Sequence, residues 1–404
     1  MPLAQVLPAL VFHVMNAAGT LAEHFAQLFD DSLADSSLSE RRTRLPWEVF
    51  TELMRLGLHP LARAAAQPEA FWRGWRLVAL DGTQFSLTNT PQVKTAGHKA
   101  KSRRGRAAFA KITTGVLLEL GLHNPLAAAI GRGGQSEWAL ALELLAQLPA
   151  RALLLADRLH GCAAFVAAAQ AACARVSSHF LIRARTNIRV QTVKRFKDGS
   201  RLVRVPVRQK GNPRHITQWL AVREIRVRVQ RPGHRAQELR LWTSLLHPKN
   251  APAQELIALY ARRWEHELYY RELKRQLRKS EVLQSHTLET GAQEIAAVVL
   301  ASALLARERA RAAAGQTPVL RVSFIKTLEL MRPLWLTLAL GGDLLSARQK
   351  QQLTEKFLAW AGRYVTRRRR QPRSCPRAVR QPVSGWPRLL QNQSWEGPVH
   401  FKLL

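Results

Sequence analysis

Sulfur and negative charge are what this chain has least of. Its 404 residues include 3 cysteines and 4 methionines, and 28 Asp+Glu stand against 62 Lys+Arg. Cys162, Cys173 and Cys375 show no paired metal-ligand spacing, which argues against a zinc ribbon or a disulfide framework and fits a reducing, cytoplasmic setting. No stretch approaches the roughly 18 consecutive apolar residues that span a bilayer. The longest candidate, residues 295–306, stops at Arg307. The amino terminus is apolar but lacks a basic leading segment and is interrupted by Gln5, Pro8, His13 and Asn16, so it reads as a core-facing helix rather than a secretory signal. No membrane is expected among the partners.

What is present is apolar material and positive charge. Hydrophobic residues make up 47% of the chain, enough for a substantial core in two or three compact units. The formal net charge is +34 and the isoelectric point near 11.5, so a polyanion is the natural partner and nucleic acid the commonest large one.

Periodicity divides the chain into five segments. Residues 1–66 read as a helical module whose basic run, Arg41, Arg42 and Arg44, makes a cationic edge. Residues 67–187 alternate strands and helices in the pattern β-β-β-α-β-α, a mixed α/β layer. Within them residues 94–106 are too basic for a core and read as an exposed loop carrying Lys101, Arg103 and Arg104. Residues 188–250 alternate apolar and basic side chains with strand period, separated by KDGS, KGNP and RPGHR turns, and read as a β-rich insertion with a cationic face. Helices resume over 251–345, and 346–404 read as a basic helix and an extended or weakly ordered tail.

Two chemical signals stand out. Tyr260, Arg263, Glu267 and Lys274 are spaced Y-x2-R-x3-E-x6-K, which on a regular helix puts all four within about 60° of one another, with Arg271 close by and Leu259, Leu273 and Leu277 on another side. A carboxylate flanked by cations suits metal and phosphate. The plain alternative is a solvated face carrying i,i+4 pairs. The second signal is a pair of aspartates, Asp81 and Asp157, each closing an apolar strand. Strands lie about 5 Å apart, so two such acids can converge and a helix over the edge can add Glu267. Gathering three carboxylates is costly unless divalent cations offset their repulsion, and an all-oxygen donor set implies two Mg²⁺ or Mn²⁺ ions. The plain alternative is that each aspartate is a turn or cap residue.

With Asp81-Gly82-Thr83, Asp157-Arg158 and the Tyr260, Arg263, Glu267, Lys274 spacing in this order, the chain resembles the IS4-family DDE transposases over most of its length. The resemblance extends to Trp264 after Arg263, LWTSLLHP at 241–248 and RSCPRAVR at 373–380. It implies an RNase H-like catalytic core interrupted by the insertion, with Asp81, Asp157 and Glu267 as metal ligands. Arg263 and Lys274 would contact phosphate near the transposon end. It implies a prokaryotic, nucleoid-associated enzyme that acts on terminal inverted repeats and target DNA as a homodimer, its amino-terminal helices helping to bind the ends. The chain departs from the family pattern at Leu159-His160-Gly161 after Asp-Arg. It also has Leu239 where one well-studied member of the family places a base-stacking Trp, and Trp242 reads as core. Two other readings stand beside the transposase: a metal-dependent nuclease without strand transfer, and a silent DNA-binding protein derived from a transposase.

Overall fold

Helical periodicity over the first 57 residues produces four helices, α1 (Leu3–Met15), α2 (Leu21–Phe29), α3 (Asp35–Thr43) and α4 (Trp47–Gly57). Next come β1 (Phe71–Trp72), β2 (Trp75–Ser86), β3 (Lys101–Ser102), β4 (Gly105–Arg106), β5 (Lys111–Glu119), β6 (Asn124–Ile130), α5 (Glu137–Leu145), β7 (Ala152–Ala156) and α6 (Ala163–Arg175). The insertion supplies β8 (His179–Arg183), β9 (Gln191–Arg195), β10 (Arg201–Gln209), β11 (Asn212–Gln230) and β12 (Gln237–Thr243). After it lie α7 (Ala253–Tyr260), α8 (Trp264–Arg271), α9 (Leu288–Ala313), α10 (Phe324–Leu340), α11 (Ala347–Arg363) and β13 (His400–Leu403). This computed structural model describes residues 3–16, 18–31, 33–88, 90–91, 93, 101–102, 105–106, 109–230, 236–280, 282–366 and 400–403. Two compact units emerge: residues 1–155, 171–178 and 262–366 form the first, and 156–170, 179–261 and 367–404 the second.

In the first unit the strands run in the order β6-β5-β2-β7. β2 and β5 pair antiparallel with Asp81 opposite Val116 and Gly82 opposite Gly115. Side chains alternate across a sheet, so the two glycines share a face. α5 lies close over it, because a Cβ on Gly115 would meet Leu144 and Leu140 and one on Gly82 would strike Glu137. The opposite face carries Phe85 and Leu87 against α9, where Gly291 lets Leu87 and Ile112 approach. Mixed strands flanked by helices give the α/β architecture expected of an RNase H-like core.

α9 corrects one reading of the sequence. Its 26 residues include a stretch long and apolar enough to cross a membrane by length and composition, but 78% of that stretch is buried inside the protein, as befits a core helix. Arg307, where the apolar run stops, is exposed, but Glu294 and Arg309 on either side of the run face inward in ion pairs: Glu294 meets Arg278 at 2.6 Å and Arg309 reaches Glu272 at 3.5 Å. The amino-terminal basic run is also not purely a surface edge. Arg42 donates to Ser285 Oγ at 3.2 Å, the Thr290 carbonyl at 2.8 Å and Gln293 Oε1 at 3.3 Å, which ties α3 to the start of α9. Within the expected basic loop, Lys101–Ser102 pairs with Gly105–Arg106 as a short hairpin; Arg103, Arg104 and residues 94–100 lie outside the described residues.

The second unit is an antiparallel sheet in the order β8-β12-β11-β10-β9, with β13 added to β11. Gly199 and Gly211, at φ 78° and 86°, make the KDGS and KGNP turns where a side chain would be strained. The RPGHR turn lies outside the described residues. The face is cationic only in part. Arg204, Arg208, Arg214 and Arg228 are exposed, whereas Arg223 and Arg240 are buried against acids. Arg223 pairs with Asp198 at 2.5 Å, and Glu224 holds Arg201 at 2.5 Å, Arg240, and the Trp242 indole at 2.9 Å. Trp242 is fully buried, as its core reading requires. Of the tail, residues 367–399, including Cys375, lie outside the described residues, but His400–Leu403 is an ordered strand, with Phe401 opposite Val229 and Leu403 opposite Val227.

Candidate active site

Asp81 sits midway along β2, where its Oδ1 accepts the Gly82 N–H at 2.9 Å. Its Oδ2 lies 3.3 Å from Arg263 Nη1, and Arg263 Nη2 lies 2.8 Å from Glu267 Oε1. One guanidinium therefore bridges two acids that are far apart in the chain. The Arg263 and Asp81 side chains are 17% and 15% exposed and Glu267 38%, so the cluster opens to solvent from the glutamate side. Screening is weaker in such a partly buried setting than on an open surface.

The helix carrying Glu267 is fixed by contacts that the spacing did not reveal. Tyr270 donates its hydroxyl to the Asp81 carbonyl at 2.8 Å, and His266 Nε2–H donates to the Val116 carbonyl at 3.0 Å. Glu265 accepts the Gly121 N–H at 2.7 Å, and Glu272 meets His123 at 2.7 Å. Burial, followed by the nearby Asp81, Tyr269 and Glu137 charges, holds the Tyr270 phenol protonated well above its usual range. Burial also pushes His266 down to about 3, partly opposed by its bond to Val116, so the imidazole stays neutral and donating. The motif spacing singles out none of His266, Tyr270, Glu265, Glu272 and Glu137. His266, Tyr270 and Glu272 share one signal, a polar group at a buried helical position, whereas Glu265 and Glu137 are half-buried.

The motif helix is not one continuous α-helix. A 3₁₀ turn, Ala261–Arg263, precedes α8, and a π-helical turn, Glu272–Leu277, follows it. The simple 100° step that placed four side chains on one stripe therefore does not hold along its length. The cause lies in Glu272, drawn inward to His123 and Arg309, and in the wider turn that brings the Arg278 N–H to the Leu273 carbonyl at 3.2 Å. π-turns of this kind recur at functional sites. Here the turn carries Lys274, whose Nζ donates to the Gln84 carbonyl at 2.7 Å and lies 5.2 Å from the Phe85 ring. Leu259, Leu273 and Leu277 are buried as expected. Arg271 is exposed, and Tyr260 closes α7 in the second unit, where it is buried.

Asp157 belongs to the second unit. Its Oδ1 accepts the Leu159 N–H at 2.7 Å and lies 3.1 Å from His160 Nδ1. Arg185 secures this turn by donating to the Leu159 carbonyl at 2.8 Å. Gly161 is held to its type by close packing: a Cβ there would lie 2.0 Å from the Arg183 carbonyl oxygen, so the chain can pass only as glycine.

The donor set on β2 and α8 is carboxylate oxygen, which suits a hard divalent cation, and the guanidinium already between Asp81 and Glu267 shows that the pocket accepts positive charge. Among the described residues, no three His, Cys, Asp or Glu side chains are gathered closely enough to enclose a metal ion.

Comparison with known proteins gives this geometry a lineage. Residues 72–304, which contain Asp81, Asp157 and the whole motif helix, match the Transposase DDE domain family. The chain is 28% identical over 275 residues to the transposase InsG for insertion sequence element IS4 from Escherichia coli strain K12, a match covering 67% of this chain and 60% of that protein. The two acids that the fold brings to one arginine are thus found within the matched region, and the chain belongs to the DDE-domain transposases of the IS4 family.

Proposed function

We propose that this protein is a cut-and-paste DNA transposase that cleaves the ends of its element and joins the freed 3'-hydroxyl to target DNA. The observation that carries the reading is the Asp81–Arg263–Glu267 cluster, two acids held on one cation across the family-matched region. Asp81, Asp157 and Glu267 are the residues that would hold two Mg²⁺ or Mn²⁺ ions. When bound, such ions activate a water or hydroxyl nucleophile and stabilise the leaving oxygen of a phosphodiester.

The chain's own side chains divide the remaining work. The Gly82 N–H fixes the rotation of the Asp81 carboxylate, while the Tyr270 phenol ties α8 to β2 and the neutral His266 ties it to β5. Arg263, Lys274 and Arg271 orient phosphate through charge-assisted hydrogen bonds. Tyr260, Lys101, Arg103 and Arg104 are carried as further phosphate contacts to be tested by substitution. The partner is double-stranded DNA, at terminal inverted repeats and at the target, engaged by a homodimer in the bacterial cytoplasm.

Purified protein incubated with Mg²⁺ and a labelled duplex carrying the sequence flanking its gene tests the reading, with Glu267→Ala alongside. Cleavage at the repeat end is expected from the parent and not from the variant, while duplex binding stays within about threefold, because phosphate affinity resides in the cations. Equal cleavage by both proteins would remove Glu267 from the catalytic set. Supplying a pre-cut 3'-hydroxyl end separates a transposase, which joins it to target DNA, from a nuclease, which does not.

A further inference from the structure

The guanidinium of Arg263 stands between Asp81 and Glu267, where its two terminal nitrogens each face a different carboxylate, at 3.3 and 2.8 Å. It arrives there from the 3₁₀ turn at the head of α8, one helical turn before Glu267. The same side chain is the one the sequence motif offers to phosphate. Of the five N–H donors of a guanidinium, the two turned to Asp81 and Glu267 cannot be given to a phosphodiester as well, so the fork cannot be offered whole to phosphate while it holds both acids.

Building on the transposase reading, we infer that Arg263 is an internal counter-ion that occupies the cation position in the metal-free protein and is released to DNA phosphate when a divalent ion takes the carboxylates. Three properties of the site support the exchange. The pair is formed at ordinary hydrogen-bond and ion-pair distances, so leaving it needs only a side-chain rotation. Glu267 is the most exposed of the three groups, at 38%, which gives an ion an entry from solvent. The backbone around the cluster is held independently of Arg263, by Tyr270 on the Asp81 carbonyl and by His266 on Val116, so the acids keep their places when the arginine departs.

The exchange makes metal and DNA affinities interdependent. An ion that displaces Arg263 makes a phosphate ligand available, and DNA that captures Arg263 clears the carboxylates for the ion. Such coupling is reciprocal by thermodynamic necessity. It also spares the metal-free protein from facing two unneutralised carboxylates across a partly buried pocket.

The test is Mn²⁺ titration of the full-length protein, read by the electron paramagnetic resonance of free Mn²⁺, with and without a random-sequence 30-base-pair duplex at fixed ionic strength. In the absence of DNA, Arg263→Gln should bind Mn²⁺ about tenfold more tightly than the parent, within the ordinary range of coupling between sites. Duplex should tighten Mn²⁺ binding by the parent and leave that of Arg263→Gln nearly unchanged. Without metal the variant should also melt at a lower temperature, and Mn²⁺ should restore it. Arg263→Lys keeps the charge but loses the fork, and should fall between the two; it serves equally if the glutamine variant does not fold. Unchanged or weaker Mn²⁺ binding by the glutamine variant would overturn the inference. Asp81→Asn separates the two levels of argument. If it binds Mn²⁺ as the parent does, the carboxylate-metal reading itself fails; if it binds weakly while Arg263→Gln gains nothing, only the counter-ion role is lost.

Discussion

Glycine at two positions shows how tightly single residues set this site. Neither Gly82 nor Gly161 has the positive φ that usually calls for glycine. Each is required by what lies above it. Glu137 covers Gly82 with its Cγ 2.4 Å from where a Cβ would lie, and the Arg183 carbonyl crosses Gly161 at 2.0 Å. The first neighbour is a flexible side chain and can swing away; the second is backbone and cannot. Gly161→Ala should therefore destabilise the fold by about 1–3 kcal/mol, the usual cost of overpacking. A fall in the urea midpoint checks this, and cleavage should drop with it because the Asp157 turn has to move. A midpoint equal to the parent's would show that the backbone there yields easily. The Asp-Gly-Thr motif was legible in the sequence. The reason for its glycine was not, since Glu137 lies more than fifty positions away and no local pattern connects them.

Elements in the first unit are joined by buried polar groups rather than by apolar contact alone, and these give stability a pH dependence. His13 on α1 accepts at Nδ1 from His24 on α2, 2.9 Å away, and donates from Nε2 to Gln284 Oε1 at 2.7 Å. Burial lowers His13 to about 4, helped by His24 and Arg42 and opposed by Gln284 and Glu294. In the unfolded chain the ring titrates near 6.5, so between pH 6.5 and 4 the unfolded state binds more protons. The stabilisation is therefore complete above pH 6.5 and is lost as pH falls towards 4. Its size is about 3 kcal/mol as an upper estimate. His13→Asn cannot titrate, and thermal unfolding from pH 7 to 4 should show a shallower decline in that variant; parallel curves would place the pH dependence elsewhere. The helices and strands themselves were readable from period and turn residues. The inward arginines and the π-turn were not, because apolar-basic alternation is the same whether an arginine meets water or, like Arg223 and Arg240, a distant acid. What decides is a partner such as Asp198 or Glu224, and partners are a property of the fold.

At the scale of the whole molecule, the net charge of +34 already counts every acid against a base, so even if all 28 Asp+Glu were paired one to one, 34 of the 62 Lys+Arg would remain without an acidic partner. DNA affinity should fall linearly on a logarithmic salt scale, with a slope of about −0.9 for each phosphate neutralised. Fluorescence anisotropy of a labelled duplex between 50 and 300 mM salt measures it. A flat response would contradict a basic surface acting on the DNA backbone. Charge and composition disclosed the kind of partner at once, whereas the positions of the contacts depend on which arginines the fold has already spent.

Asp81 and Arg263 meet across 182 positions of chain, with the whole β-rich insertion between them. During synthesis Asp81 is made long before Arg263 and Glu267, so the cluster can close only after the insertion has been made. A chain that ends before Arg263 lacks residues 263–366, which belong to the first unit, so neither the acid cluster nor the fold around it is complete until that late segment has been made.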